Sequence, residues 1–239
     1  MKDLFIQSIE SAVKKYPAVI PLLTGKARWI AYTQIKSDQI EEVEVKTYDF
    51  YLLTLERLIR SVYIGALNGE FIDIMANLVQ GQITQAYEQS WVDDGNFLPM
   101  PSFMQTAANN AILGQYNYID QLFRDIVDAR IDNLPLDKLL YRAQLWAKRY
   151  EEAYNNGKLL IALEMGGKLK WVLGETERHC KSCAKLDGTV DYASEWLRSG
   201  VQPQNAPNNY LQCQGWNCDC KLIPTEERRT YGGLAKIGY

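Results

Sequence analysis

All five cysteines of this chain fall in one stretch near its C-terminal end: Cys180, Cys183, Cys213, Cys218 and Cys220. The first two form a CxxC pair. The last three stand in LQCQGWNCDC, a CxxxxCxC arrangement, about 30 residues further on. A closed tetrahedral zinc site needs thiolates from two tight turns that the ion clamps together, and these two clusters supply them. Cys180, Cys183 and Cys213 are the expected first three ligands. Cys218 and Cys220 are two residues apart, so in an extended chain both sulfurs point to one face. Either can be the fourth ligand of a single structural ion. Two other arrangements stay open on the sequence alone: reduced thiols packed in a small core, and disulfides in an assembled extracellular particle.

The single histidine, His179, narrows the chemistry further. One imidazole excludes HExxH centres and His-rich hydrolase arrays. Beside CxxC it is expected to orient a thiolate or to bond the turn at Asp187. A zinc deaminase is excluded, because no HxE occurs and the CxxC follows Arg-His instead of Pro. A thiol nucleophile is a poor reading for a sulfur committed to metal. Glu175, Glu177, Asp187, Asp191 and Asp219 surround the cysteines and are expected to be solvated turn residues. Lys168, Lys170, Arg178, Lys181 and Lys185 form a basic set, the one local feature that favours nucleic-acid contact.

The elements that must position these residues follow from the rest of the 239-residue chain. It is 47% hydrophobic and 23% charged, with net charge −3, the profile of a globular protein without the basic excess of a dedicated nucleic-acid binder. No apolar run suits a membrane span, and the first residues lack the apolar core of a secretory signal. An odd number of cysteines without such a signal points to a reducing compartment. Tyr and Trp are abundant, at 15 and 6 residues, which suits cores and interfaces alike.

The fold class expected is α+β: a mainly helical region over 1–166, a small zinc-stapled α+β domain over 167–225, and a tail over 226–239. Leu4, Phe5, Ile9, Ala12, Val13 and Tyr16 have helical spacing up to Pro17. Leu52, Leu55, Ile59, Val62 and Tyr63 outline a second helix. Ile72, Met75, Val79 and Ile83 outline a third, with Gly65, Asn68 and Gly69 as the break between them. Tyr116, Ile119, Phe123 and Ile126 mark another. From Leu136 to Tyr154 one apolar stripe continues without a gap. Asn155-Asn156-Gly157 reads as an interruption, and Gly166-Gly167 as the stop. KLKWVLG reads as a strand with Leu169, Trp171 and Leu173 on one face, and CKLIP as another. The tail is expected to be disordered or ordered only by a partner.

From about Leu139 to Thr225 the order of features resembles the minor head proteins of tailed phages, the phage Mu protein F-like head morphogenesis family. The resemblance lies in a helix ending at Tyr-Asn-Asn-Gly, then KWVLGETERHCKSCAKLDGTV, the loop EWLRSGVQPQ, and LQCQGWNCDCKLIPT. Trp171, His179, Leu186, Asp187, Gly188, Cys218 and Cys220 match the family's pattern. The CxxC after the histidine, with Cys213, is similar to its cysteine-rich branch. Asp219 stands where the family often has a basic residue. The resemblance implies a non-enzymatic virion component, assembled in the host bacterial cytoplasm and present in several copies. Its implied partners are the portal protein, possible major capsid protein contacts and possible contact with packaged DNA. It would act in head morphogenesis, packaging or ejection. A zinc-stapled nucleic-acid-interacting protein and a toxin-like transferase are the alternatives.

Overall fold

The computed structural model describes residues 40–175, 178–216, 218–232 and 234, with side chains from residue 48 onward. The expected helix over Leu4–Tyr16 lies outside the described residues. The described elements are α1 (Ile40–Tyr63), α2 (Glu70–Val92), α3 (Ser102–Ile131), α4 (Asp137–Ala147), α5 (Arg149–Glu164), β1 (Lys168–Val172), α6 (Lys181–Leu186), β2 (Val190–Tyr192), α7 (Ala193–Ser199) and β3 (Lys221–Thr225). This is an α+β fold, helical first and with its sheet near the C-terminal end. Packing divides it into two compact units: Met1–Gln85 with Ala107–Tyr150, and Ala86–Thr106 with Glu151–Tyr239.

The first unit is helical. Leu55, Ile59 and Val62 are buried as their spacing requires, and Tyr51 joins them. Ile72 is exposed instead of buried. The bulkier Phe71 takes the inward position and stacks on Phe123, ring centroids 5.6 Å apart. Tyr116 is likewise exposed, while Ile119, Leu122 and Ile126 fill the core. The break between α1 and α2 falls at the glycines, where Gly65 has φ +77°.

The apolar stripe from Leu136 to Tyr154 does not form one helix. It breaks at Lys148, between α4 and α5. The cause is Gln82, a buried side chain on α2. Its Nε2 donates to the Trp146 carbonyl at 3.1 Å and to the Ala147 carbonyl at 2.8 Å. A side-chain amide that takes two carbonyls competes with the helical ladder at that point. Conversely, Asn155-Asn156-Gly157 does not interrupt α5. A Cβ on Gly157 would lie 1.9 Å from Ser90 Oγ and 2.8 Å from Ser90 Cβ, so glycine is there for close approach.

In the second unit the central strand is β1, with both neighbours antiparallel in the order β2-β1-β3. Lys170 pairs with Val190 on one side, and Trp171 pairs with Leu222 on the other. Leu169 and Trp171 alternate inward as their sequence pattern predicts. They join Leu159 and Ala162 of α5, Leu186 of α6 and Trp196 of α7 in one hydrophobic cluster. Hence the unit that contains the sheet reaches back into α5, upstream of the composition change at Gly166. Trp196 Nε1 donates to the Leu169 carbonyl at 3.0 Å, and its ring lies 5.8 Å from that of Trp171.

Part of the tail is ordered on this chain itself. The Thr230 amide donates to the Val190 carbonyl at 2.8 Å, which places the segment beside the edge strand β2. Arg229 Nε stands 2.6 Å from Asp191 Oδ1, with the guanidinium near the Tyr192 and Tyr231 rings. Asp191 is only 3% exposed, so it is a buried ion-pair partner and not a solvated turn residue.

Candidate metal centre

The cysteines reach the centre from three short segments, each shaped by local rules. Cys180 has extended backbone (φ −68°, ψ 155°) and caps α6, where its sulfur accepts the Cys183 amide N–H at 3.4 Å. The CxxC is therefore a helix start, where its spacing predicts a turn. Cys183 lies in the first turn of α6 and faces inward. Cys213 sits in a turn over residues 211–216, where Gln214 and Gly215 both adopt positive φ. The Trp216 amide donates back to the Cys213 carbonyl at 3.0 Å. Cys218 and Cys220 precede β3, and both are buried.

Two further contacts fix these segments to one another. The Lys181 amide donates to Gln212 Oε1, and the Gln212 amide donates to Ser182 Oγ, both at 2.9 Å. This reciprocal pair ties α6 to the turn that carries Cys213. On the other side Gly174 lies against Asp219. Neither Gln212 nor Gly174 was legible as a site residue; their only sequence signal is adjacency to cysteine or to the Trp171 strand.

The sulfurs converge on Cys183. Its Sγ is 3.9 Å from that of Cys213 and 3.9 Å from that of Cys218. The five thiols form two triads, Cys180–Cys183–Cys213 and Cys183–Cys218–Cys220, each with all its sulfurs within 4.8 Å of one another. Four sulfurs bound at about 2.3 Å to one tetrahedral ion stand about 3.8 Å apart. The observed separations match that edge, so the cluster can hold a metal ion.

Hydrogen bonding distributes the charge unevenly. The Cys183 thiol is pushed up, chiefly by its hydrogen bond with Cys213, then by those with Cys218 and Cys220 and by burial. Cys218 is lowered, with Cys183 as the main donor. Cys220 is pulled down to about 3, first by Cys183, then by Cys218, with the Gly174 amide and the Trp171 side chain adding to it. Thus the hub thiol, Cys183, is the one driven toward its protonated form, and Cys218 and Cys220 are the two drawn toward the thiolate. A divalent cation would displace that proton. Trp171 Nε1 is buried with no hydrogen-bond partner of ordinary geometry, yet it faces Cys220 closely enough to favour the thiolate. An indole N–H in that position fits a sulfur that binds metal.

Among the described residues the groups able to hold a metal are made of cysteines alone, without His179. Asp187 Oδ1 accepts the Leu173 amide at 3.3 Å and so fixes the turn after α6. The basic set is partly spoken for. Lys168 Nζ donates to the Glu226 and Glu227 carbonyls, and Lys170 pairs with the Glu227 carboxylate at 2.7 Å. No described helix is long and apolar enough to cross a membrane.

No protein-family model, no curated protein and no solved structure matches the chain.

Proposed function

We propose that this chain is a structural minor head protein of a tailed bacteriophage, with one zinc ion stapling its C-terminal unit. What supports this is the convergence of the three cysteine segments on Cys183, with sulfur separations of 3.9 Å. All-thiolate tetrahedral coordination suits zinc, and a site with four sulfurs filled has no open position for catalysis. Cys180, Cys183 and Cys213, which lie within 4.8 Å of one another, would hold the ion, with Cys218 or Cys220 completing the set. The bound metal would supply cross-linking and no reaction step.

The order of features supports the phage assignment. A long helix leads to the Trp171 strand, then to His179, the Asp187–Gly188 turn, and a CxC just before the closing strand. The partners expected are a portal protein and, at the same vertex, the capsid shell. The nucleic-acid reading is the weaker one, because Lys168 and Lys170 are engaged by the chain's own C-terminal segment.

Two measurements on the full chain test this. Native mass spectrometry is expected to give one zinc per chain. Co-expression with the portal protein of the same source is expected to yield a complex that survives size exclusion. A metal-free chain that migrates alone in the presence of the portal would defeat the assignment.

A further inference from the structure

A tetrahedral ion takes four sulfurs, and five are gathered here. Cys183 belongs to both triads, so each of the other four sulfurs lies within 4.8 Å of its own. Whichever of them complete the site with Cys183, the thiol left over stays within that reach of a ligand. One disulfide made with Cys183 takes two sulfurs out of the five. The three that remain are one too few to close the coordination shell.

Exposure decides where an oxidant enters. Cys183, Cys218 and Cys220 are buried, whereas Cys180 and Cys213 are half-buried. Oxidation of a thiol needs access by the oxidant and a second sulfur to capture the product. Cys180 meets both needs on one segment. It caps α6, its sulfur accepts the Cys183 amide N–H at 3.4 Å, and the two sulfurs share a triad. A bond between them needs no movement of one segment against another. Cys213 is as accessible, but it reaches Cys183 from a different turn.

We propose that the cluster is an oxidation-sensitive switch, in which a peroxide joins Cys180 to Cys183 as a disulfide and releases the metal ion. This rests on the reading of the cluster as a metal site. The Cys180 thiolate attacks one oxygen of hydrogen peroxide and the O–O bond breaks. Cys180 becomes a sulfenic acid, oxidised by two electrons, and the departing hydroxide takes a proton from solvent. The Cys183 thiolate then attacks the Cys180 sulfur. The S–S bond forms, the S–O bond breaks, and a second hydroxide leaves and is protonated. Two thiolates, two protons and one hydrogen peroxide thus give one disulfide and two waters. The ion departs as Zn²⁺, its oxidation state unchanged. The staple holds where thiols are kept reduced and opens on exposure to peroxide.

The test uses the full chain loaded with Zn²⁺ and treated with hydrogen peroxide beside a chromogenic zinc indicator. Release of one zinc per chain is expected, in step with the loss of two thiols. Peptide mapping without reductant is expected to find Cys180 bridged to Cys183, and dithiothreitol with added Zn²⁺ to restore the loaded chain. Cys218→Ser and Cys220→Ser each keep four thiols and are expected to release zinc at the wild-type rate. Cys180→Ser is expected to release it several-fold more slowly. Should that variant take up no zinc, the wild-type map decides. Helical circular dichroism checks that each variant is folded. Zinc that stays bound while two thiols are lost, or a bridge between other cysteines, would overturn the switch and leave the metal site standing. A wild-type chain that takes up no zinc at all would defeat the metal reading itself.

Discussion

A methyl group on the Gly174 Cα would fall 2.4 Å from the Asp219 carbonyl oxygen and 2.5 Å from Asp219 Cβ. The obstacle is largely backbone, so it cannot swing aside. Gly174 follows β1, and Asp219 lies between two of the candidate ligands. Gly174→Ala is therefore expected to push Cys218 and Cys220 off their positions and to lower metal affinity by at least tenfold, about 1.4 kcal/mol. Competition with a chromogenic chelator measures this. An affinity equal to wild type would show that the approach is not needed.

Metal removal is expected to act on one unit only. The candidate ligands all belong to the unit that includes the sheet, whose small cluster around Trp171 and Trp196 depends on the segments they join. A chelator, or Cys183→Ser, should loosen that unit and expose its tryptophans. Near-ultraviolet dichroism should collapse while most helical signal persists. Simultaneous loss of both signals would mean that the two units fold as one.

Gln82 is 1% exposed and satisfies two carbonyls at the break between α4 and α5. Gln82→Leu keeps much of the volume but orphans the Ala147 carbonyl and leaves the Trp146 carbonyl with the Lys148 amide alone. The expected cost is about 1–3 kcal/mol, that of one buried group left unpaired. Urea unfolding resolves a change of this size. A variant as stable as the parent would mean that α4 and α5 fuse into one helix once the amide is gone.

Tyr87 gives a pH signature. Burial, with the Glu152 carboxylate as the second cause, pushes its phenol up to about 12 from an ordinary value of 10.0. The folded value is the raised one. The contribution to stability is thus complete below pH 10 and is lost as pH rises through about 12. Two pKa units correspond to about 2–3 kcal/mol. Tyr87→Phe should remove this part of the alkaline destabilisation in unfolding curves taken between pH 9 and 12. Parallel curves for the two proteins would show that the phenol titrates normally.

The C-terminal segment is held to β2 by Arg229 on Asp191 and by Thr230 on Val190. Arg229→Gln leaves the Asp191 carboxylate buried without its cation. Faster hydrogen exchange at the Thr230 amide and easier proteolysis after residue 225 are expected. Exchange at the wild-type rate would assign the anchoring to Thr230 together with the Lys168 and Lys170 contacts at Glu226 and Glu227.

What was legible in the sequence is what depends on neighbours in the chain. The alternation of Leu169 and Trp171 announced a strand, and Gly65 and Gly69 announced the gap between two helices. The cysteine spacings announced a cluster. What escaped notice depends on residues far apart. The break at Lys148 is caused by Gln82, 65 residues before Ala147. Gly157 reads as a breaker because its reason, Ser90, lies on another helix. The tail looked free because Asp191, its anchor, looks like any acidic turn residue until it is buried. At the site, periodicity does not reveal that Gln212 bonds Ser182 or that the Trp171 indole faces Cys220.

Because β1 occupies the middle of the sheet and both its partners follow it in the chain, synthesis reaches the central strand first. The strand emerges from the ribosome with both edges bare, and the second is covered only once Lys221–Thr225 has been made. The sulfurs of Cys213, Cys218 and Cys220 emerge just before that moment. Assembly of this unit therefore waits until β3 has been made, and any truncation upstream of β3 strands Trp171 with half a sheet and an incomplete set of thiols.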